Sequence, residues 1–128
     1  MTTYTGSCHC QRIRFEIDTV LDRVTACNCS ICSKKGILHH RVKPEDFRLL
    51  SGEADLGTYR FGTMVAKHHF CTTCGIHVFT RPRAAPELCT VNVRCLEGVD
   101  LSRLTLTPFD GRNFDVVVDL VREGVGRP

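Results

Sequence analysis

The stretch KHHFCTTCGIHVFTRP, Lys67 to Pro82, decides the fold. Its middle, Cys71-Thr-Thr-Cys74-Gly75, has the two-residue spacing with which a tight turn offers two sulfurs to one metal ion. Gly75 lets the backbone turn sharply after the second sulfur. KHHFC leads into the turn and GIHVFTRP leads out of it, so the segment predicts a hairpin-like pair of strands around a metal turn.

The same period-two pattern recurs along the chain. In RIRFEID, Ile13, Phe15 and Ile17 alternate with Arg12, Arg14 and Glu16, giving one apolar and one wet face. GTYRFG repeats this with Tyr59 and Phe61, and LCTVNVRC puts Cys89, Val91, Val93 and Cys95 on one side. FDVVVDLV is a last strand candidate. Helical signals are few: Pro44 opens KPEDF at a first helical position, and GVDLSRL suits one short turn. The expectation is one all-β domain over residues 1–128, with few short helical turns and tied by metal.

Composition bounds the function. Apolar residues are 42% of the chain, charged residues 24%, and the net charge is +3 with both signs interspersed. That suits a packed core and argues against a dedicated nucleic-acid surface, which shows a concentrated basic patch. No apolar run is long enough to span a bilayer, and the first ten residues lack a signal-peptide pattern. A cytoplasmic protein is expected, in a compartment that keeps thiols reduced.

Nine cysteines must be read against that compartment. The spacings Cys8-His-Cys10, Cys27-Asn-Cys29-Ser-Ile-Cys32 and Cys71-Thr-Thr-Cys74 indicate metal binding, ahead of a disulfide scaffold or a redox pair. Cys8 and Cys10, on an extended segment, point to one face and form a half-site with two sulfurs. Joined to Cys71 and Cys74 they complete a closed four-thiolate zinc site that ties distant segments together. Cys27, Cys29 and Cys32 converge on a second ion from one turn. Three ligands and an open fourth position characterise a catalytic zinc; a closed site draws its fourth ligand from His39, His40, His68, His69, His77, Cys89 or Cys95. Spacing alone also permits Cys8, Cys10, Cys27 and Cys29 in one site. Cys89 and Cys95 sit among valines and read first as core residues, and each histidine reads first as structural or solvated.

GSCHCQRIRFE, CNCSICSKKG, KHHFCTTCG, RPR and VNVRCL, and more loosely FDGRNF, together resemble the glutathione-dependent formaldehyde-activating enzyme family, whose relatives include centromere protein V-like proteins. The resemblance implies a β-tent fold of antiparallel sheets. It implies a structural zinc at Cys8, Cys10, Cys71 and Cys74 and a second zinc at Cys27, Cys29 and Cys32. It further implies a carbon–sulfur lyase of the S-(hydroxymethyl)glutathione synthase type, acting on a glutathione-like thiol and a small aldehyde such as formaldehyde. Beside it stand a zinc-stabilised protein- or nucleic-acid-binding module and a thiol-based metal or redox sensor. For the chemistry, Lys34 and Lys35 are candidates to balance thiolate charge, Arg81 and Arg83 to take a carboxylate, and His39 or His40 to protonate an alkoxide.

Overall fold

The computed structural model describes residues 1–83 and 85–113. Strands dominate: β1 (Thr2–Ser7), β2 (Arg14–Thr19), β3 (Val24–Cys27), β4 (His39–Val42), β5 (Phe47–Ser51), β6 (Leu56–Tyr59), β7 (Lys67–Cys71), β8 (His77–Arg81), β9 (Cys89–Asn92) and β10 (Leu106–Phe109). A six-residue helix, α1 (Ser30–Lys35), and a few short 3-10 turns complete the described residues. The all-β expectation holds. The expected strand FDVVVDLV lies outside the described residues.

Two sheets form. The smaller has the order β1-β2-β5; the larger runs β10-β3-β4-β9-β8-β7-β6. β2 shows how the pattern works: Phe15, Ile17 and Thr19 are buried while Arg14, Glu16 and Asp18 are half-buried on its other face. That outer face is held by Arg48 of β5, which donates to Glu16 Oε1 at 2.7 Å and to both Asp18 oxygens at 2.7 and 2.9 Å. The inner face meets the larger sheet through aromatic rings. Phe47 lies 5.7 Å from Phe15 and 4.8 Å from Phe79, ring centre to ring centre, and so joins the layers. Fully burying a ring such as Phe15 contributes about 1.5–3 kcal/mol.

Pro44 opens a 3-10 turn and Leu101–Arg103 forms another, as their local signals indicated. Elsewhere the structure departs from expectation. Cys8 and Cys10 are not on an extended strand: β1 has ended, and the chain curls so that Gln11 N–H reaches Cys8 O at 3.2 Å. The alternation in LCTVNVRC stops at Asn92, whose side chain accepts from Arg94 N–H and caps a turn over Val93–Cys95. Cys95 therefore leaves the face it was expected to share with Cys89. Phe61 lies beyond β6, and Tyr59 and Phe61 remain substantially exposed. The larger sheet is mixed, because β10 runs parallel to β3, pairing Leu106 with Val24 and Phe109 with Cys27. Among the described residues no helix is long and apolar enough to cross a membrane.

Candidate metal centres and active site

β7 and β8 pair antiparallel around the Cys71–Cys74 turn, as its flanks predicted. Gly75 has φ of +79°, where a side chain would be strained, and its N–H closes the turn on Cys71 O at 2.8 Å. The curl after β1 arrives beside this turn. Sulfurs of Cys8, Cys10, Cys71 and Cys74 lie within 4.8 Å of one another. Cys10 Sγ is 3.6 Å from both Cys8 Sγ and Cys71 Sγ. Four sulfurs at zinc-bond length about a tetrahedral ion sit about 3.8 Å apart, so this donor set fits zinc. Backbone N–H groups point at the sulfurs as they do toward thiolates: Ile13 to Cys8, and Thr73 and Cys74 to Cys71, each at 3.4 Å. Arg12 adjoins Cys10, and its hydrogen bonds hold that thiol below its ordinary pKa.

The second cluster is local. β3 delivers Cys27, and α1 begins immediately after Cys29, whose sulfur accepts from Cys32 N–H at 3.4 Å and caps the helix. The helix was missed in the sequence because six residues carry too little apolar periodicity to read. Its first turn presents Cys32 back toward Cys27 and Cys29, so the three sulfurs lie within 4.8 Å of one another. Three thiols this close do not ionise together without a cation. Hydrogen bonds from Cys27 and Cys32 pull Cys29 down to about 2, while the same contacts and burial push Cys32 far up. The donor set again fits a thiolate-loving divalent ion.

FDGRN, Phe109 to Asn113, was matched only loosely in the sequence, yet it clamps this cluster. Asn28 N–H bonds Phe109 O at 3.2 Å, and Asn28 Nδ2 bonds Asp110 Oδ1 at 3.0 Å. Arg112 donates from its backbone to Asn28 Oδ1 and from Nε to Asn28 O, at 3.0 and 2.7 Å. Gly111 lies so close that a Cβ there would stand 2.5 Å from Cys27 Sγ. Its lack of a side chain is a signal that could have been read only with the contact known.

The three sulfurs line a cavity of about 420 Å³. Ile31, Phe61, Pro82 and Phe109 give it apolar walls, and Arg83 and Arg112 add positive charge. The adjacent-histidine pairs divide as strand alternation requires. His39 lines the cavity with Nε2 3.2 Å from Cys32 Sγ, and burial holds its pKa down to about 4. His40 turns away to Thr19 Oγ1 and Arg23 O, at 2.7 Å each. His68 lines the cavity, whereas His69 bonds Thr58 at 3.0 Å and packs on Phe79.

Of the other candidate fourth ligands, His77 is bonded to Lys35 and Thr80, Cys89 is a buried core thiol, and Cys95 Sγ meets His77 O at 3.5 Å. Neither cysteine joins a sulfur cluster, and burial pushes both thiols up to about 12. The expected arginine pair splits. Arg83 lines the cavity, but Arg81 reaches Leu88 O and lies over Phe79. Lys35 is drawn to His77, and Lys34 is exposed.

A crystal structure of a Rhodobacter sphaeroides protein is similar to this chain. Sequence identity is 35% over 79% of this chain and 99% of that one, with a TM-score of 0.73. The family model for glutathione-dependent formaldehyde-activating enzyme matches residues 3–108, a span that runs from β1 into β10 and includes both sulfur clusters. The folded scaffold that brings the seven cysteines into two groups is thus the matched part, and the chain belongs to the glutathione-dependent formaldehyde-activating enzyme family.

Proposed function

We propose that the protein is a zinc-dependent enzyme that joins a glutathione-like thiol to a small aldehyde such as formaldehyde, a carbon–sulfur lyase in class. The observation that carries this reading is the grouping of three sulfurs, Cys27, Cys29 and Cys32, on the wall of a cavity large enough for a small peptide thiol. Cys8, Cys10, Cys71 and Cys74 hold a structural zinc in this proposal, and the trio holds a second. Residues 1–128 act as one domain, in the cytoplasm.

A zinc ion held by the trio supplies the positive charge that keeps a substrate sulfur deprotonated near neutral pH. The chain's own residues do the rest. Cys29 N–H and Cys32 N–H donate to Cys27 and Cys29 sulfurs and spread the thiolate charge. Ile31, Phe61 and Phe109 give the reacting atoms an apolar wall. Arg83 and Arg112 attract the carboxylates of a glutathione-like thiol. His39, neutral and buried against Cys32, fixes that sulfur's direction.

The test is magnetisation-exchange NMR between free formaldehyde and its glutathione adduct, with zinc content measured on the same sample. Acceleration by the two-zinc protein, absent in Cys29→Ser, is expected. A parent with both zinc ions and no acceleration for glutathione or other thiols would overturn the reading.

A further inference from the structure

Four histidines are buried, each at most 5% exposed, and three of them, His40, His77 and His68, can be compared atom by atom. His40 has both ring nitrogens bonded, to Thr19 and to Arg23. His77 likewise has both bonded, to Lys35 and to Thr80. His68 has neither Nδ1 nor Nε2 bonded to any protein atom. Buried polar atoms in folded proteins nearly always find partners, and each exception calls for an explanation such as a catalytic role or a bound water or ion. His68 lines the cavity with the three sulfurs. Two further unbonded buried polar atoms, His39 Nδ1 and Thr90 Oγ1, belong to residues lining that same cavity.

The ring is also held in place. β7 sets His68 between Tyr59 and Thr80 in the ladder. Phe61 stacks on it at 5.5 Å between centroids and 22° between planes, and His77 and Tyr59 close in at 6.1 and 6.5 Å. Burial first, and Lys35 second, lower the imidazole's pKa and so favour the uncharged ring. A neutral imidazole always carries one N–H, so the wall of the cavity that the sulfur trio lines includes an unbonded donor.

We propose that His68 is a catalytic residue of this site: its ring N–H donates a hydrogen bond to the aldehyde oxygen as the thiol sulfur bonds to the carbon. This rests on the thiol–aldehyde reading above. In the step, the sulfur lone pair forms the C–S bond, the C=O π bond breaks, and its electrons move to oxygen. The oxygen takes up from solvent one proton, equal to the one the thiol released, so thiol plus aldehyde gives the hydroxymethyl thioether with no oxidant or reductant. His68 stabilises the charge that develops on oxygen and keeps its own proton at the end.

The experiment compares the parent, His68→Phe, which preserves the aromatic stack, and His68→Gln, which restores an N–H donor. His68→Phe is expected to lower kcat about 100-fold, with KM for glutathione and zinc content unchanged, and His68→Gln to recover part of the loss. Binding supplies a second readout, without turnover. The parent should prefer the equilibrium glutathione–formaldehyde adduct over S-ethylglutathione, which lacks the hydroxyl, by about tenfold. His68→Phe should show no preference. Parental kcat in His68→Phe, or an unchanged preference, overturns the role of His68 alone. A parent that binds neither ligand overturns the thiol–aldehyde reading and His68 with it.

Discussion

The two sulfur clusters use the same atom in opposite ways. Cys8, Cys10, Cys71 and Cys74 come from two turns, with Cys10 and Cys71 sixty-one residues apart, and the site they form is complete in sulfur. Cys27, Cys29 and Cys32 come from one turn of chain, number three, and border a cavity. A metal in the first closes a long loop and so opposes unfolding; a metal in the second closes almost none. Under the proposed function, ligand spacing in sequence thus distinguishes the cluster expected to act as a staple from the one expected to meet substrate.

The largest expected effect tests the staple. Cys71 is fully buried, and Cys71→Ser should leave the protein unfolded or greatly destabilised, since metal binding supplies on the order of 10 kcal/mol of folding free energy in small zinc modules. Circular dichroism melts with and without a chelator check this. By contrast Cys29→Ser should stay folded and lose one zinc of two by elemental analysis. In the cobalt-loaded parent, added glutathione should intensify the sulfur-to-cobalt bands, and in Cys29→Ser it should not. Equal unfolding by both substitutions would erase the distinction between the clusters.

A smaller effect is expected at Gly111. Gly111→Ala places a methyl 2.5 Å from Cys27 Sγ and 2.9 Å from Cys29 Cβ. The trio's zinc affinity should fall about tenfold in chelator competition, while the four-sulfur site and the melting temperature hardly change. A drop at both sites would mean that the clusters are coupled more tightly than their separate positions suggest.

The smallest effect concerns His77, which leaves the Cys71–Cys74 turn on β8 and bonds Lys35 of α1. Burial depresses its pKa to about 2, from about 6.5 when unfolded. The unfolded chain thus binds the proton more readily. The contribution of neutral His77 is fully present above pH about 6.5 and is lost as the pH falls below it, by at most about 1.4 kcal/mol per pH unit. Melting temperature against pH should be flatter below pH 6 in His77→Gln than in the parent, and the two should run parallel above pH 7.

Much of this was legible in the residues. RIRFEID and the Cys71 turn state their strands outright, because alternation and sulfur spacing act over a few residues. Spacing narrowed the grouping of the cysteines, and the curl after β1, with a left-handed Gln11 at φ +65°, accompanies the approach of Cys8 and Cys10 to Cys71 and Cys74. That residue type gives no hint of such a turn. What could not be read depends on contacts across long separations: FDGRN against Asn28, and the parallel pairing of β10 with β3. Strand alternation puts one ring of each histidine doublet on the cavity side, but alternation alone does not say which.

The pairing of β10 with β3 also sets an order of assembly. As the chain emerges from its N-terminus, all four sulfurs of the staple exist once residue 74 has been made. The trio is made long before that, yet its wall is unfinished until Phe109, Gly111 and Arg112 arrive to clamp Asn28 and cover Cys27. A nascent chain thus carries all four sulfurs of one cluster before it carries the wall beside the sulfur trio, and the trio waits through most of synthesis for that wall.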